Sequence, residues 1–231
     1  DSLVAVYRSD GSLLPGWPKK GAAPFWSSPA IGDIDGDGAP EIVVGSNTSR
    51  LYAWHASGAE VLNGDSDPTT DGVYYVPIGT VISSPAIADL KRDGGHEVVF
   101  GTSAGRLYAL RNGSPLAGWP FVASGLMSSS PAIGDLLPAT SGLETAIASS
   151  NDSIYVITAA GTRAPGWPRP LELTPGNGRV PSPVIAPLRK HLGDSTMDVI
   201  VCGVDGRLRA YDPTGALLPG WSNVQLGGAT E

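Results

Sequence analysis

A chain of 231 residues, 41% hydrophobic and 16% charged, has the apolar content to bury a core and is neither disordered nor membrane-spanning. Its formal net charge of −7 and pI near 4.9 argue against a nucleic-acid partner, which needs clustered Lys and Arg, and favour cations or neutral partners. The 31 Gly and 21 Pro follow no collagen-like period and mark many short elements joined by tight turns, as in an all-β protein.

The chain opens on "DSLVAVYRSDG" without Met, as a processed chain or a piece of a longer one does. No charged segment followed by an apolar leader stands at either end, and no run approaches the about 18 apolar residues of a membrane span. The first elements, in "SLVAVYRSDGSLLPGWPKKG", match only the later half of a unit that recurs downstream. Full copies open at Ser27 ("SSPAIGDIDGDGAPEIVVGSNTSRLYAW"), Ser83 ("SSPAIADLKRDGGHEVVFGTSAGRLYAL"), Ser129 ("SSPAIGDLLPATSGLETAIASSNDSIYVI") and Pro181 ("PSPVIAPLRKHLGDSTMDVIVCGVDGRLRAY"). Intervals of about 45 to 55 residues belong to propeller blades or other arrays.

Each copy reads as a short strand after Ser-Pro, a polar loop, a β-branched strand, a Gly-containing turn and an alternating third strand. A fourth element ends in Gly-Trp: Gly16, Trp17 and Pro18; Gly118, Trp119 and Pro120; Gly166, Trp167 and Pro168; Gly220 and Trp221. In the first full copy "VLNGD" replaces it. Proline suits an outer edge strand, which has no second neighbour to receive an N–H, and the Trp is expected to pack between adjacent blades.

The expected fold is an all-β propeller of four-stranded antiparallel blades: a half blade over 1–22 and full blades over 23–78, 79–124, 125–176 and 177–231. A half blade leaves open sheet edges, so the chain is expected to be a portion of a larger ring, with further blades or domains of a longer polypeptide outside it. A self-contained five-bladed ring is the alternative.

The loop "DIDGDGAPE" carries Asp33, Asp35 and Asp37 at alternate positions, Gly38 for a sharp turn, and Glu41. Carboxylates this close repel unless a cation compensates, and Ca²⁺ accepts flexible all-oxygen coordination, to which Ala39 offers a backbone carbonyl. The competing reading is a polar Asx-type turn. An EF-hand is excluded, because its twelfth loop position falls at Val44 and strands, not helices, flank the loop. At this point the chain resembles the FG-GAP family, also called VCBS repeats, whose integrin-type blades carry a DxDxDGxxD calcium loop between their first and second strands. The resemblance implies that Asp33, Asp35, Asp37 and Glu41 bind Ca²⁺ by side chain and Ala39 by carbonyl, with the ion bracing a hairpin.

The other copies depart from this pattern. "DLKRDGGHE" keeps Asp89, Asp93 and Glu97 as a degenerate metal loop, with Lys91 at the second ligand position, where its ammonium can replace the ion. "DLLPATSGLE" keeps Asp135 and Glu144, and the last copy has Pro187 where the first Asp belongs, so both are expected to lack the ion.

Chemistry is otherwise sparse. His55, His96 and His191 read as surface or packing residues, no HExxH, CxxC or GxSxG occurs, and "GTSAG" and "GVDGR" read as hairpin turns. Cys202, the one cysteine, reads as a small buried apolar residue. The "RLYAL" and "DGRLRAYDPTGALL" stretches also resemble quinone-binding and outer-membrane assembly propellers. The connections from fourth to first strand vary most, and the resemblance puts such loops on the face opposite the calcium loops. Phe25, Trp26, Asp65, Asp67, Asp71, Tyr74 and Tyr75 there offer a contact surface for a protein or glycan, or else the aromatic residues pack under their own loops. Asp65, Asp67 and Asp71 also suit a second cation. The expected role is a non-catalytic, secreted or cell-surface calcium-binding adhesion or interaction module; the alternative is the propeller of a secreted carbohydrate-active enzyme such as a polysaccharide lyase.

Overall fold

The computed structural model describes residues 2–171, 180–190, 193–203, 207–221 and 224–225. His191, the centre of the "GVDGR" turn and most of the "RPLELTPGNGRVPS" connection lie outside them.

The described residues form β-strands and no α-helix. A two-stranded ribbon, β1 (Leu3–Val4) and β2 (Lys19–Lys20), precedes four antiparallel sheets. These are β3 (Ala30–Gly32), β4 (Glu41–Gly45), β5 (Leu51–His55), β6 (Val73–Tyr75); β7 (Ala86–Ala88), β8 (Glu97–Gly101), β9 (Arg106–Arg111), β10 (Ser114–Pro115) and β11 (Phe121–Val122); β12 (Ala132–Gly134), β13 (Glu144–Ser149), β14 (Ser153–Ile157), β15 (Arg169–Pro170); and β16 (Val184–Ala186), β17 (Asp198–Cys202), β18 (Arg207–Tyr211), β19 (Val224–Gln225). Within each sheet successive strands are neighbours, and β10 and β11 both pair with β9 as two pieces of one interrupted outer strand. The first strands β3, β7, β12 and β16 stand side by side. The molecule is a β-propeller segment of four full blades and one half blade.

The core lies between blades, which explains why the second strands are apolar on both faces. Ile42 and Val44 of β4 point back to Trp17, whereas Val43 between them points forward to Val98, Phe100 and Tyr108 of the next blade. The same alternation joins Val99, Leu107 and Ala109 to Ile147 and Ile157, and Ala146, Ile154 and Val156 to Val199 and Val201. In the first three full blades the first Ser of the Ser-Ser-Pro start closes the blade from inside, whereas blade four has Pro181 there. Ser27 Oγ accepts the Gly45 N–H at 2.8 Å and donates to the Gly45 carbonyl at 3.0 Å; Ser83 does the same with Gly101 and Ser129 with Ala148. One expectation fails. Cys202, at the end of β17 where the sheet runs out, is exposed rather than buried. In the junction from blade one to blade two, Tyr74 and Leu62 replace the missing Trp: the Tyr74 hydroxyl accepts the Gly113 N–H at 2.8 Å, and Leu62 packs against Gly113.

Candidate metal centre

The loop from β3 to β4 is built on two carboxylates that fold it. Asp33 Oδ1 accepts the Gly36 N–H at 2.7 Å and Oδ2 accepts the Gly38 N–H at 3.0 Å, while both glycines hold positive φ, near 85° and 87°. Glu41, the first residue of β4, is fully buried, and its Oε2 accepts the Ile34 N–H at 2.9 Å. Burial pushes its carboxyl above the ordinary carboxylate range, with Asp35 adding to the effect and the Ile34 N–H and His55 opposing it.

Around Glu41 gather Asp35, Asp37 and His55, each with one ligand atom, all within 4.8 Å of one another. His55 comes from β5, directly across the ladder from Glu41, and its Nδ1 lies 3.2 Å from Glu41 Oε1, with Nε2 3.9 Å from Asp35 Oδ2. Asp35 and Asp37 also cap their own loop, accepting the Asp37 and Ala39 N–H groups. Thus three of the four predicted acids converge, Asp33 accepts two N–H groups of the turn beside them, and the converging set includes His55, which reads from sequence as a surface or packing residue. The signal for it was present: in blades one and two the residue fourteen positions after the buried acid, His55 or Arg111, meets that acid from the third strand. A cleft of about 110 Å³ adjoins the loop, lined by Asp33, Asp35 and Gly36 and by Gly94, His96 and Arg111 of blade two.

The same carboxylate recurs in every full blade as Glu41, Glu97, Glu144 and Asp198, all fully buried. Its compensation differs. In blade two Arg111, the counterpart of His55, donates to Asp93 Oδ1 at 2.6 Å and Oδ2 at 2.9 Å and pairs with Glu97. This bidentate contact pulls Asp93 down to about 2, while burial still raises Glu97. The predicted stand-in, Lys91, makes no ion pair among the described residues; Arg111 takes that role because its planar fork reaches both acids from a rigid strand. Asp89 caps the loop through the Asp93 and Gly94 N–H groups, as Asp33 does in blade one. In blade three Glu144 accepts the N–H groups of Leu136 and Leu137 and the Thr140 hydroxyl, while Asp135 pairs with Arg92 of the preceding blade. In blade four Arg189, standing where Asp35 stands in blade one, binds Asp198 and Asp194.

The other predicted residues separate. Asp65, Asp67 and Asp71 lie in an excursion that interrupts the outer strand before β6, not in the connection to the next blade. Asp71 meets Lys19 at 2.8 Å and the Trp54 indole N–H, Asp65 meets Arg50 at 3.7 Å and the Thr70 hydroxyl, and Asp67 caps Thr69. Protein cations stand on two of the three, and among the described residues the three do not gather around one point as Asp35, Asp37, Glu41 and His55 do. Tyr74 is buried in the junction described above, so it offers no contact surface. Phe25 packs edge-on against Tyr52 at 5.4 Å, and Tyr75 edge-on against Tyr108 at 5.6 Å, each under its own loop. Trp26 alone of the aromatic set stands free, 67% exposed.

A family model described as FG-GAP-like repeat matches residues 33–100, which span the loop of blade one and the loop of blade two. A comparison with curated protein sequences returns no match. Among solved structures, BBS1N in complex with ARL6DN is similar at 13% identity and a TM-score of 0.58, over 89% of this chain and 59% of that one. BamB from Moraxella catarrhalis is similar at 16% identity and a TM-score of 0.55, over 90% of this chain and 55% of that one. The chain therefore spans little more than half the length of these propeller-like neighbours, shares their fold, and matches an FG-GAP-like repeat over residues 33–100.

Proposed function

We propose that the chain is a non-catalytic, calcium-binding interaction module of the secreted or cell-surface kind, holding one Ca²⁺ in the loop of blade one and contacting a protein or glycan through its fourth-to-first-strand connections. The observation that carries the ion is the comparison between blades. Blades two and four set a guanidinium beside the buried acid and blade three a hydroxyl with two N–H groups, whereas blade one crowds Asp35 and Asp37 around Glu41 with only His55 to face them. The donor set fits a hard cation: Asp35, Asp37 and Glu41 would supply carboxylate oxygens, and the Ala39 carbonyl a further one. His55 would hold Glu41 in orientation through Nδ1, as residues behind a metal ligand commonly do. When bound, Ca²⁺ supplies charge compensation and a brace between β3 and β4, and no chemistry.

The contact surface is supported by apolar exposure in these connections. Trp26, Val76, Ile78 and Leu126 are each more than 40% exposed there, with Val122 at the end of β11 leading into one of them, and such side chains are suited to bind a partner. The antiparallel order of the strands puts these connections at the blade ends opposite the 33–41 loop. Millimolar extracellular calcium matches the affinity of such loosely built sites.

The direct test is thermal melting with calcium and with chelator. Calcium is expected to raise Tm, and Asp35→Ala to remove the increment. An unchanged melting curve in chelator would contradict the proposal.

A further inference from the structure

Blade one carries a segment that blades two and three lack. Between its third and fourth strands the chain makes an excursion over residues 60–72, where those blades pass through a short Gly-Trp turn. The excursion is fixed by its own bonds. Thr69 Oγ1 donates to Asp67 Oδ1 at 2.7 Å, Thr70 Oγ1 to Asp65 Oδ1 at 2.9 Å, and the Gly64 N–H to the Val73 carbonyl at 2.6 Å. A Cβ on Gly64 would strike the Tyr74 backbone and one on Gly72 the Trp54 indole, so the segment is pressed on its own blade.

This segment walls a cleft of about 260 Å³ between blade one and β2 of the half blade, lined by Lys20, Arg50, Tyr52, Thr69, Thr70 and Asp71. The cleft is open because an aromatic residue that fills the corresponding place in the next two junctions is missing. There Tyr75 of one outer strand leans on Tyr108 at 5.6 Å, and Phe121 of the next leans on Tyr155 at 5.6 Å. The half blade has Lys19 after its Trp-Pro where blade two has Phe121, and Asp71 draws the ammonium aside at 2.8 Å. The half blade lacks its two inner strands, whereas the cleft lies against its outermost one. That strand also ends as a full blade's does: the Ser2 carbonyl accepts the Gly21 N–H at 2.8 Å, as the Gly105 carbonyl accepts that of Ala123 at 2.9 Å.

The lining offers donors and acceptors as two separate sets. Tyr52 is 2% exposed; its hydroxyl accepts the Ala22 N–H at 3.0 Å, and its own proton meets no acceptor among the described residues. The Arg50 guanidinium makes only a 3.7 Å approach to Asp65, and Lys20 is exposed with no ion pair among the described residues. Facing these donors are the Asp71 carboxylate and the oxygens of Thr69 and Thr70, whose protons are already given to Asp67 and Asp65. A small inorganic anion would satisfy the cations but be repelled by Asp71. A neutral sugar would satisfy the acceptors but leave Arg50 and Lys20 without a counter-charge. A ring that carries several hydroxyls and one carboxylate answers both sets.

We propose that this cleft binds a uronic-acid unit of an acidic polysaccharide, with the carboxylate on Arg50 and Lys20, the Tyr52 hydroxyl donating to the sugar, and the sugar hydroxyls donating to Asp71 and the threonine oxygens. The proposal rests on the glycan reading given above and narrows it to an acidic glycan. It makes no use of the calcium loop, which lies at the other end of the blade.

Calorimetric titration of the 231-residue chain in chelator, so that no calcium bridges protein and ligand, tests this. The probes are oligomers of glucuronate, galacturonate and mannuronate, the methyl esters of the same oligomers, and inorganic phosphate. At least one oligomer is expected to bind, its methyl ester at least about tenfold more weakly, and phosphate not measurably. Arg50→Gln and Lys20→Gln are each expected to weaken the oligomer by about tenfold, and Tyr52→Phe to weaken it with the far-UV circular dichroism unchanged. Arg106→Gln is expected to bind as the parent does, because Arg106 precedes Leu107 as Arg50 precedes Leu51 but Tyr75 occupies the place beside it. Equal binding of acid and ester, binding of phosphate as tight as that of the oligomer, or unchanged binding by Arg50→Gln and Lys20→Gln would each overturn the proposal. Failure of all three oligomers would also overturn it, while leaving a protein partner for the apolar connections untouched.

Discussion

The loops of blades one and two share a backbone plan and differ in what faces it. In both, the first Asp caps the turn and a buried Glu at the start of the second strand takes the N–H of the residue after that Asp, Ile34 or Leu90. In blade two, Asp89, Asp93 and Glu97 have the Arg111 guanidinium on the neighbouring strand. In blade one, Asp33, Asp35, Asp37 and Glu41 have His55 in the same place. The comparison teaches that the need for an ion is decided across the ladder, at the position of His55 and Arg111, as much as within the loop that would hold it.

The largest expected effect comes from removing the built-in cation. Arg111→Ala leaves Glu97 buried beside Asp93 without its charge partner, and is expected to lower stability by about 3 kcal/mol in a urea titration. A loss within error would mean that Glu97 is held by the Leu90 N–H alone. Next stands the inner closure that both blades share. Ser83→Ala strands the Gly101 N–H and carbonyl at a buried site, and is expected to cost about 1–2 kcal/mol in the same titration, with or without calcium. A calcium-dependent cost would show that the two ends of a blade are coupled.

The smallest effect is a pH dependence confined to blade two. Arg111 holds Asp93 down at about 2, below its range in the unfolded chain, so the stability this contributes is complete above about pH 4 and is lost as pH falls through about 2. Asp93→Asn is expected to flatten the acid limb of the stability profile in that window and leave its shape at neutral pH unchanged. An acid limb identical in the variant would place the titration elsewhere.

Much of the fold was legible because four repeated Ser-Pro starts and β-branched strands report the blades directly. The two-faced burial of Ile42, Val43 and Val44 follows from the same pattern once blades stack on both sides. The site was legible in part. Alternating Asp residues announce a loop that gathers charge, yet Asp33 and Asp35 look alike in sequence and both accept turn N–H groups; only the folded loop brings Asp35 to Asp37, Glu41 and His55. His55 was missed because its link to Glu41 runs through strand register, not proximity in the chain. Lys91 looked like the natural substitute for an ion, but a flexible ammonium at a loop tip loses to a guanidinium fixed on β9. Tyr74 looked like part of a variable loop because "VLNGD" hid the Trp that it replaces; the hydroxyl bond to Gly113 shows the substitution.

Calorimetric titration of calcium into the unmodified chain and into His55→Arg tests the central claim most directly. A guanidinium at position 55 would do in blade one what Arg111 does in blade two. The unmodified chain is expected to bind one calcium per chain, and His55→Arg to bind none while melting, without calcium, at least as high as the calcium-loaded parent. Equal calcium binding by both chains, or binding by neither, would contradict the account.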